Sequence, residues 1–345
     1  MYSEQDIEGA VAAGALTPEA AAALRNHVAA LRTAPAVDEE SFRLLTGFND
    51  IFVAIAIALV LFAIAQVGGT ITPALGGLGV AVSAWLLAEY FTRVRRMALP
   101  SILLLLAFVG GVAATLIGVM VKVNPDLPDR VDALIAGGIA LVTAGAAWAH
   151  WRRFMVPITV AAGTVVCVGV FMALLIAAVP GIEKNLWPFA LVAGVVVFAL
   201  AMWWDMSDPT RKTRRSDVAF WLHLAAAPLI AHPIFQMLGV FDGHGGEVAP
   251  MIAVIVLALY LVFAFVALAI DRRALLVSSL GYVLYALYAT FTKAGAVELG
   301  AAFTGLVIGS ALLTLSAFWH PMRRRVVAML GGIGGMLPPV QLAVA

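Results

Sequence analysis

Between positions 216 and 236 an otherwise apolar run carries Ser216, Asp217, His223, Pro228, His232, Pro233 and Gln236. These are the residue types from which a proton relay, a metal ligand or a hydrogen-bonded packing seam is built. Spacing limits which of them act together. His223 and His232 are nine positions apart, about two and a half helical turns, so their imidazoles point to opposite faces of a straight helix. His232 and Gln236 share a face by their four-residue spacing. Pro228 removes a backbone donor and predicts a kink near the middle of the segment, and Pro233 is a second break of the same kind. The pattern leaves three uses open: a transport path or proton relay along a loosened helix, metal or haem ligation, and neutral histidines that donate interhelical hydrogen bonds and so specify packing.

A second polar stripe lies at Tyr282, Tyr285 and Tyr288, with Ser278 and Ser279 before it. Phenols advancing by three residues drift around a helix. They suit a groove for quinone, lipid or an aromatic ligand, and equally suit hydrogen bonds to neighbouring helices. Asp242, His244 and Glu247 could join His232 around a divalent cation if their loop folds back. The glycines flanking His244 are also what a tight exposed turn requires, and neither a metal nor a cofactor is predicted. Cys167, the single cysteine, has no basic neighbour in sequence and reads as a small core-filling residue. No phosphate-binding loop, zinc-protease motif or nucleophile elbow is present, so an enzymatic role is not predicted.

The elements that must position these residues are apolar helices. Hydrophobic residues make up 63% of the 345-residue chain and charged residues 12%, too little polar surface for a soluble domain. Ten apolar stretches fall at about 51–67, 72–91, 99–120, 133–151, 155–179, 187–205, 218–238, 248–270, 274–291 and 297–318, most of them near the roughly 20 residues that cross a bilayer as helix. Every second connection is basic: Arg93, Arg95 and Arg96; Arg152 and Arg153; Arg211, Lys212, Arg214 and Arg215; Arg272 and Arg273; Arg323, Arg324 and Arg325. The opposite connections hold only Lys122, Arg130, Lys184 and Lys293. The positive-inside bias therefore predicts an all-α polytopic protein of the bacterial inner membrane, with ten spans in successive hairpins and both termini cytoplasmic. The arginines act as topology anchors, and Trp148, Trp151, Trp203, Trp204, Trp221 and Trp319 mark the same boundary at headgroup level. Asp50, Glu89, Asp205, Asp208 and Asp271 stand there too, each expected to cap a helix or pair with a nearby arginine, as Glu89 with Arg93. Basic residues scattered over five loops make no footprint for nucleic acid.

Glycine supplies close-approach points at Gly76, Gly77, Gly79, Gly110, Gly111, Gly137, Gly138 and Gly194, and turns at Gly68-Gly69 and Gly181. Three regions follow: a cytosolic helical leader over 1–47, a transmembrane bundle over 48–320, and a cytoplasmic or interfacial tail over 321–345. The leader is net acidic, and Thr17-Pro18-Glu19 opens its second helix after a break at Gly14. Its stretch Asp6-Ile7-Glu8-Gly9 to Gly14-Ala15-Leu16-Thr17-Pro18-Glu19-Ala20, followed by many membrane helices, resembles the leaders of bacterial membrane proteins of the DUF2157-like group. That resemblance implies an inner-membrane protein and carries over no catalytic residue. Two functions stay open. One is a membrane scaffold or accessory protein, bound by lipids and, through its acidic leader, by a protein partner. The other is a small-solute or proton-coupled transporter using His223, His232, Gln236 and the three tyrosines. The sequence does not choose an oligomeric state.

Overall fold

The computed structural model describes residues 4–24, 48–123, 127–209, 211, 213–239, 250–276, 280–281, 283–285, 300–332 and 337. It divides into two units, Met1–Ser41 with Gln341–Ala345, and Phe42–Val340. In the first, α1 (Glu4–Ala12) is followed by a turn in which Gly14 adopts φ +71°, and then by α2, residues 18–24. The Thr17 hydroxyl accepts the Ala20 N–H at 3.1 Å, the N-cap its Thr-Pro start predicts.

The second unit begins with α3 (Phe48–Ile71), α4 (Pro73–Ala88, continued as a π-helical turn over Glu89–Val94), α5 (Ala98–Val123) and α6 (Asp129–Phe154). It continues with α7 (Ile158–Ala178), α8 (Trp187–Met206), α9 (Arg214–Met237), α10 (Pro250–Ile270), α11 (Gly300–Ala317) and α12 (Trp319–Met329). No strand occurs among the described residues. Seven helices, α3 to α9, run to 20–26 residues and are apolar enough to cross a membrane; α11 and α12, bent by 76° between Ala317 and Trp319, would make an eighth only if the bent pair were one span. Val254–Ile270 is a further, shorter apolar helix. Of the expected ninth span only 274–276, 280–281 and 283–285 are described, and these are helical. The chain is a multi-pass helical membrane protein.

Its packing is what a lipid solvent favours. Ala84, Ala88, Ala201, Ala226, Ala227 and Ala231 are fully buried, whereas Leu59, Phe62, Val67, Leu261 and Leu313 are exposed. Lipid tails are as apolar as leucine, so large side chains lose nothing outside while small ones let backbones approach. The closest approaches join α4 to α5. A Cβ at Gly77 would stand 2.5 Å from the Thr115 nitrogen, and one at Gly118 would stand 2.6 Å from that of Ala74. Between α8 and α9 a Cβ at Gly194 would fall 2.6 Å from the Leu229 carbonyl oxygen. Leu229 lies four residues before Pro233, which has no N–H to give it. Gly194 thus lets α8 close over a carbonyl that its own helix leaves free, where a Cα–H can approach it.

Several details differ from the sequence expectations. The first turn is not at Gly68-Gly69, which are helical. It falls at Thr72-Pro73, where the Thr72 hydroxyl accepts the Leu75 N–H at 3.1 Å and proline takes the first helical position; Gly68 serves instead to let α3 meet Gly76, with a Cβ 2.7 Å from its Cα. Gly110 and Gly138 face open space because Gly111 and Gly137 take the contact faces beside them, and Gly137 itself makes only ordinary contact. Cys167 is exposed on the bundle surface and not in the core. Trp319 is buried within the protein.

Candidate functional site

The acids at the helix ends find their partners across the bundle. Asp271 and Arg272 are adjacent, and residues i and i+1 of a helix end do not face each other, so each must look elsewhere. The result is an exchange. Asp205, at the end of α8, takes Arg272: Arg272 Nε donates to Asp205 Oδ2 at 3.1 Å and Nη2 donates to Oδ1. Arg211, from the connection after α8, takes Asp271: its Nη1 donates to Asp271 Oδ2 at 3.0 Å. The expectation that Asp205 and Asp271 would pair with nearby arginines is corrected accordingly, with partners 67 and 60 residues away.

Both pairs recruit further groups. His223, nine positions into α9, presents Nε2 to Asp205 Oδ2 at 2.9 Å and packs edge-on to Phe198 at 5.3 Å. The Arg272 guanidinium also reaches the Ser216 carbonyl and hydroxyl at 3.2 and 3.1 Å. Asp271 Oδ1 accepts the indole N–H of Trp319 at 2.8 Å and lies 3.5 Å from Arg323 Nε. Arg211 adds bonds to the carbonyls of Ile270 and Asp271 at 3.0 and 3.1 Å. Arg273 stacks over the Trp319 ring at 4.9 Å. Asp208 serves its own loop, accepting both the N–H and hydroxyl of Thr213 at 2.8 and 2.7 Å. Asp205, His223, Asp271, Arg272 and Arg323 are all buried. A sealed cluster of charges is tolerated only when paired and hydrogen-bonded in this way.

Local backbone shape supports the placement. Asp271 and Arg211 both adopt positive φ, +58° and +53°; Asp271 ends α10 as a left-handed residue, and Arg211 makes a left-handed turn within the connection after α8. The Arg272 N–H then returns to the Ala267 carbonyl at 2.9 Å, closing the end of α10. In the first half of the bundle a more open pair repeats the theme. Glu89 accepts Arg153 at 2.6 and 2.9 Å and, more weakly, Arg93 at 3.4 Å, so the expected four-residue partner is the secondary one.

The residues of the anticipated polar path separate. His223 belongs to the ionic cluster, and its Nδ1 has no hydrogen-bond partner among the described residues. His232 lies against Trp187 at 5.2 Å, with Gln236 Nε2 3.3 Å from its Nε2, on the shared face that their spacing requires. Tyr285 is half-buried beside the cluster of Ala231, Phe235, Val256, Val283 and Ile308. Tyr282, Tyr288, Asp242, His244 and Glu247 lie outside the described residues. Pro228 and Pro233 sit within a continuous α9. Arg95, Arg96, Arg152, Arg153, Arg214, Arg215, Arg324 and Arg325 are exposed, whereas Arg272 and Arg323 are not. Among the described residues no group of three or more His, Cys, Asp or Glu is placed to hold a metal.

Sequence reasoning passed over His150. It is fully buried among Trp85, Phe108 and Phe154, with ring centroids 6.1, 5.8 and 4.6 Å away, and its Nδ1 is 3.4 Å from the Thr159 hydroxyl. Only Phe154, four residues on in α6, is a neighbour by local spacing; Trp85 and Phe108 come from α4 and α5, which no local spacing announces. No protein-family model, curated protein or solved structure matches the chain.

Proposed function

We propose that this chain is a structural or accessory component of the bacterial inner membrane, with ten spans and both termini cytoplasmic. The observation that carries the reading is the exchange of Asp205 to Arg272 and of Asp271 to Arg211. The charged groups closest to the anticipated path spend their bonding capacity on each other, and they clamp α8, α9, α10 and α12 at one end. A polar site so closed specifies packing. The acidic leader then supplies a surface for a protein partner, and its motif resembles the leaders of the DUF2157-like membrane proteins.

Removal of residues 1–47 tests the accessory role. The truncated chain inserts normally and loses a reproducible membrane complex seen with the full chain; a complex of unchanged size and composition would refute the role. Reporter fusions after Arg96, Arg153, Arg215 and Arg273 test the topology, and periplasmic activity at any of them would overturn the inside assignment.

A further inference from the structure

The three arginines at 323–325 have different surroundings. Arg323 turns inward to Asp271, whereas Arg324 and Arg325 are exposed. Neither exposed guanidinium makes an ion pair among the described residues. They stand on α12, which is bent 76° from the helix before it and buries Trp319, Arg323 and Val326 along one edge. A short helix bent away from the one before it, with one edge buried in the protein and exposed arginines elsewhere on its surface, suits a place at the membrane interface.

Against this helix lies a groove of about 580 Å³ between α10 and α11. Leu261, Ala264, Phe265, Ala311 and Leu315 line it, and Met322 and Val326 of α12 close its end. Ser310 and Thr314 border it too, but their hydroxyls donate to the Val307 and Ser310 carbonyls at 3.0 and 2.7 Å, so the surface they offer is apolar. The stretch from Tyr260 to Leu268 follows α10 for about 12 Å, close to the roughly 15 Å that half a hydrocarbon core measures. Arg325 is one turn from Met322 on α12 and so adjoins the end of the groove.

We propose that the groove and the Arg324-Arg325 pair bind one anionic phospholipid of the adjoining leaflet, with an acyl chain between α10 and α11 and the phosphate at the two guanidiniums. The occupant follows from the charge: a largely apolar trough about one leaflet long, with two exposed cations on the helix that closes it and no ion pair to either among the described residues, is complementary to a lipid with net negative charge. The inference rests on the membrane-spanning architecture and not on the accessory role.

The test is native mass spectrometry of the full chain released from nanodiscs containing equal phosphatidylglycerol and phosphatidylcholine. The intact protein should retain phosphatidylglycerol in preference to phosphatidylcholine. R324Q/R325Q should lower that preference on the order of tenfold or more, since each basic residue near an anionic surface contributes about a factor of five, while a lipid of either kind is still held. Ala311→Trp, which fills the groove from an exposed position, should abolish retention of both. Equal retention of the two lipids by the intact protein would overturn the proposal, as would retention unchanged in both variants. A lipid-free dimer broken by Ala311→Trp would also overturn it and assign the groove to a second copy.

Discussion

Replacing Arg272 by Met removes the cation that Asp205 faces while leaving the carboxylate in place. Asp205 is 2% exposed and Arg272 1% exposed, so neither charge can turn to water when its partner goes. The Met variant loses both bonds to Asp205 and both to Ser216 and leaves His223, among the described residues, as the remaining donor to the carboxylate. Breaking a buried pair from one side costs about 3–5 kcal/mol, and two lost charge-assisted bonds at about 1.5–3 kcal/mol each lead to the same range. Asp205→Leu strands Arg272 and should cost as much. The double variant D205L/R272M removes both charges and leaves chiefly His223 and Ser216 short of a partner, for a cost of about 1–3 kcal/mol. The two singles and the double, compared by reversible unfolding in mixed micelles and followed by tryptophan fluorescence, should therefore be strongly non-additive. An ordinary interhelical hydrogen bond in a membrane is worth only about 0.6 kcal/mol. Single-variant effects of that size, or a double equal to the sum of the singles, would refute the account of a sealed ion pair.

Three further outcomes are expected. Gly77→Ala should destabilise by about 1–3 kcal/mol through overpacking against α5, whereas Gly110→Ala, facing open space, should stabilise by up to about 1 kcal/mol through helix propensity; the same unfolding assay reads the opposite signs. Met155, left-handed at φ +55° and 41% exposed, should gain up to about 1 kcal/mol on replacement by glycine, and a loss would show that its side chain holds the connection. Trp319→Phe keeps the ring under Arg273 and removes the N–H that serves Asp271, for about 1.5–3 kcal/mol; stability unchanged from the intact chain would show that Arg211 and Arg323 suffice.

Hydropathy is local, and the helices follow it closely. The stretch 187–205 becomes Trp187–Met206 and 99–120 becomes Ala98–Val123, since about 20 apolar residues have few other ways to satisfy their backbone in lipid. The first turn shows where a local signal was available but outweighed. Thr72-Pro73 is a cap followed by proline at the first helical position, yet the glycine pair four residues earlier drew the boundary to itself. Gly110 and Gly138 mark the opposite limit, because a glycine in sequence does not say which face its neighbour takes. The site was legible as single residues and not as a cluster. His223 stood out as an ionisable group in an apolar helix, and the boundary acids and arginines were visible one by one. Their pairing was not visible, because it depends on which hairpins pack together.

That dependence also explains why acid and base come in the order they do. Asp205 precedes Arg211 and Asp271 precedes Arg272, so each connection carries an acid at the helix end and an arginine just beyond it. If the two connections stood apart, each acid would meet its own arginine in water, where an exposed pair is worth little. Packed side by side, each connection turns its arginine away from its own acid and toward the other. The two loops therefore become one object, with α9 held between them through Ser216 and His223 and α12 drawn in through Trp319 and Arg323. A substitution at any member is felt by the others because the bonds share acceptors: Asp205 Oδ2 serves both His223 and Arg272, and Asp271 Oδ1 serves Trp319 and faces Arg323. The basic connections from which the sequence predicts the topology thus do a second job, since two of them also tie the last helices of the bundle together.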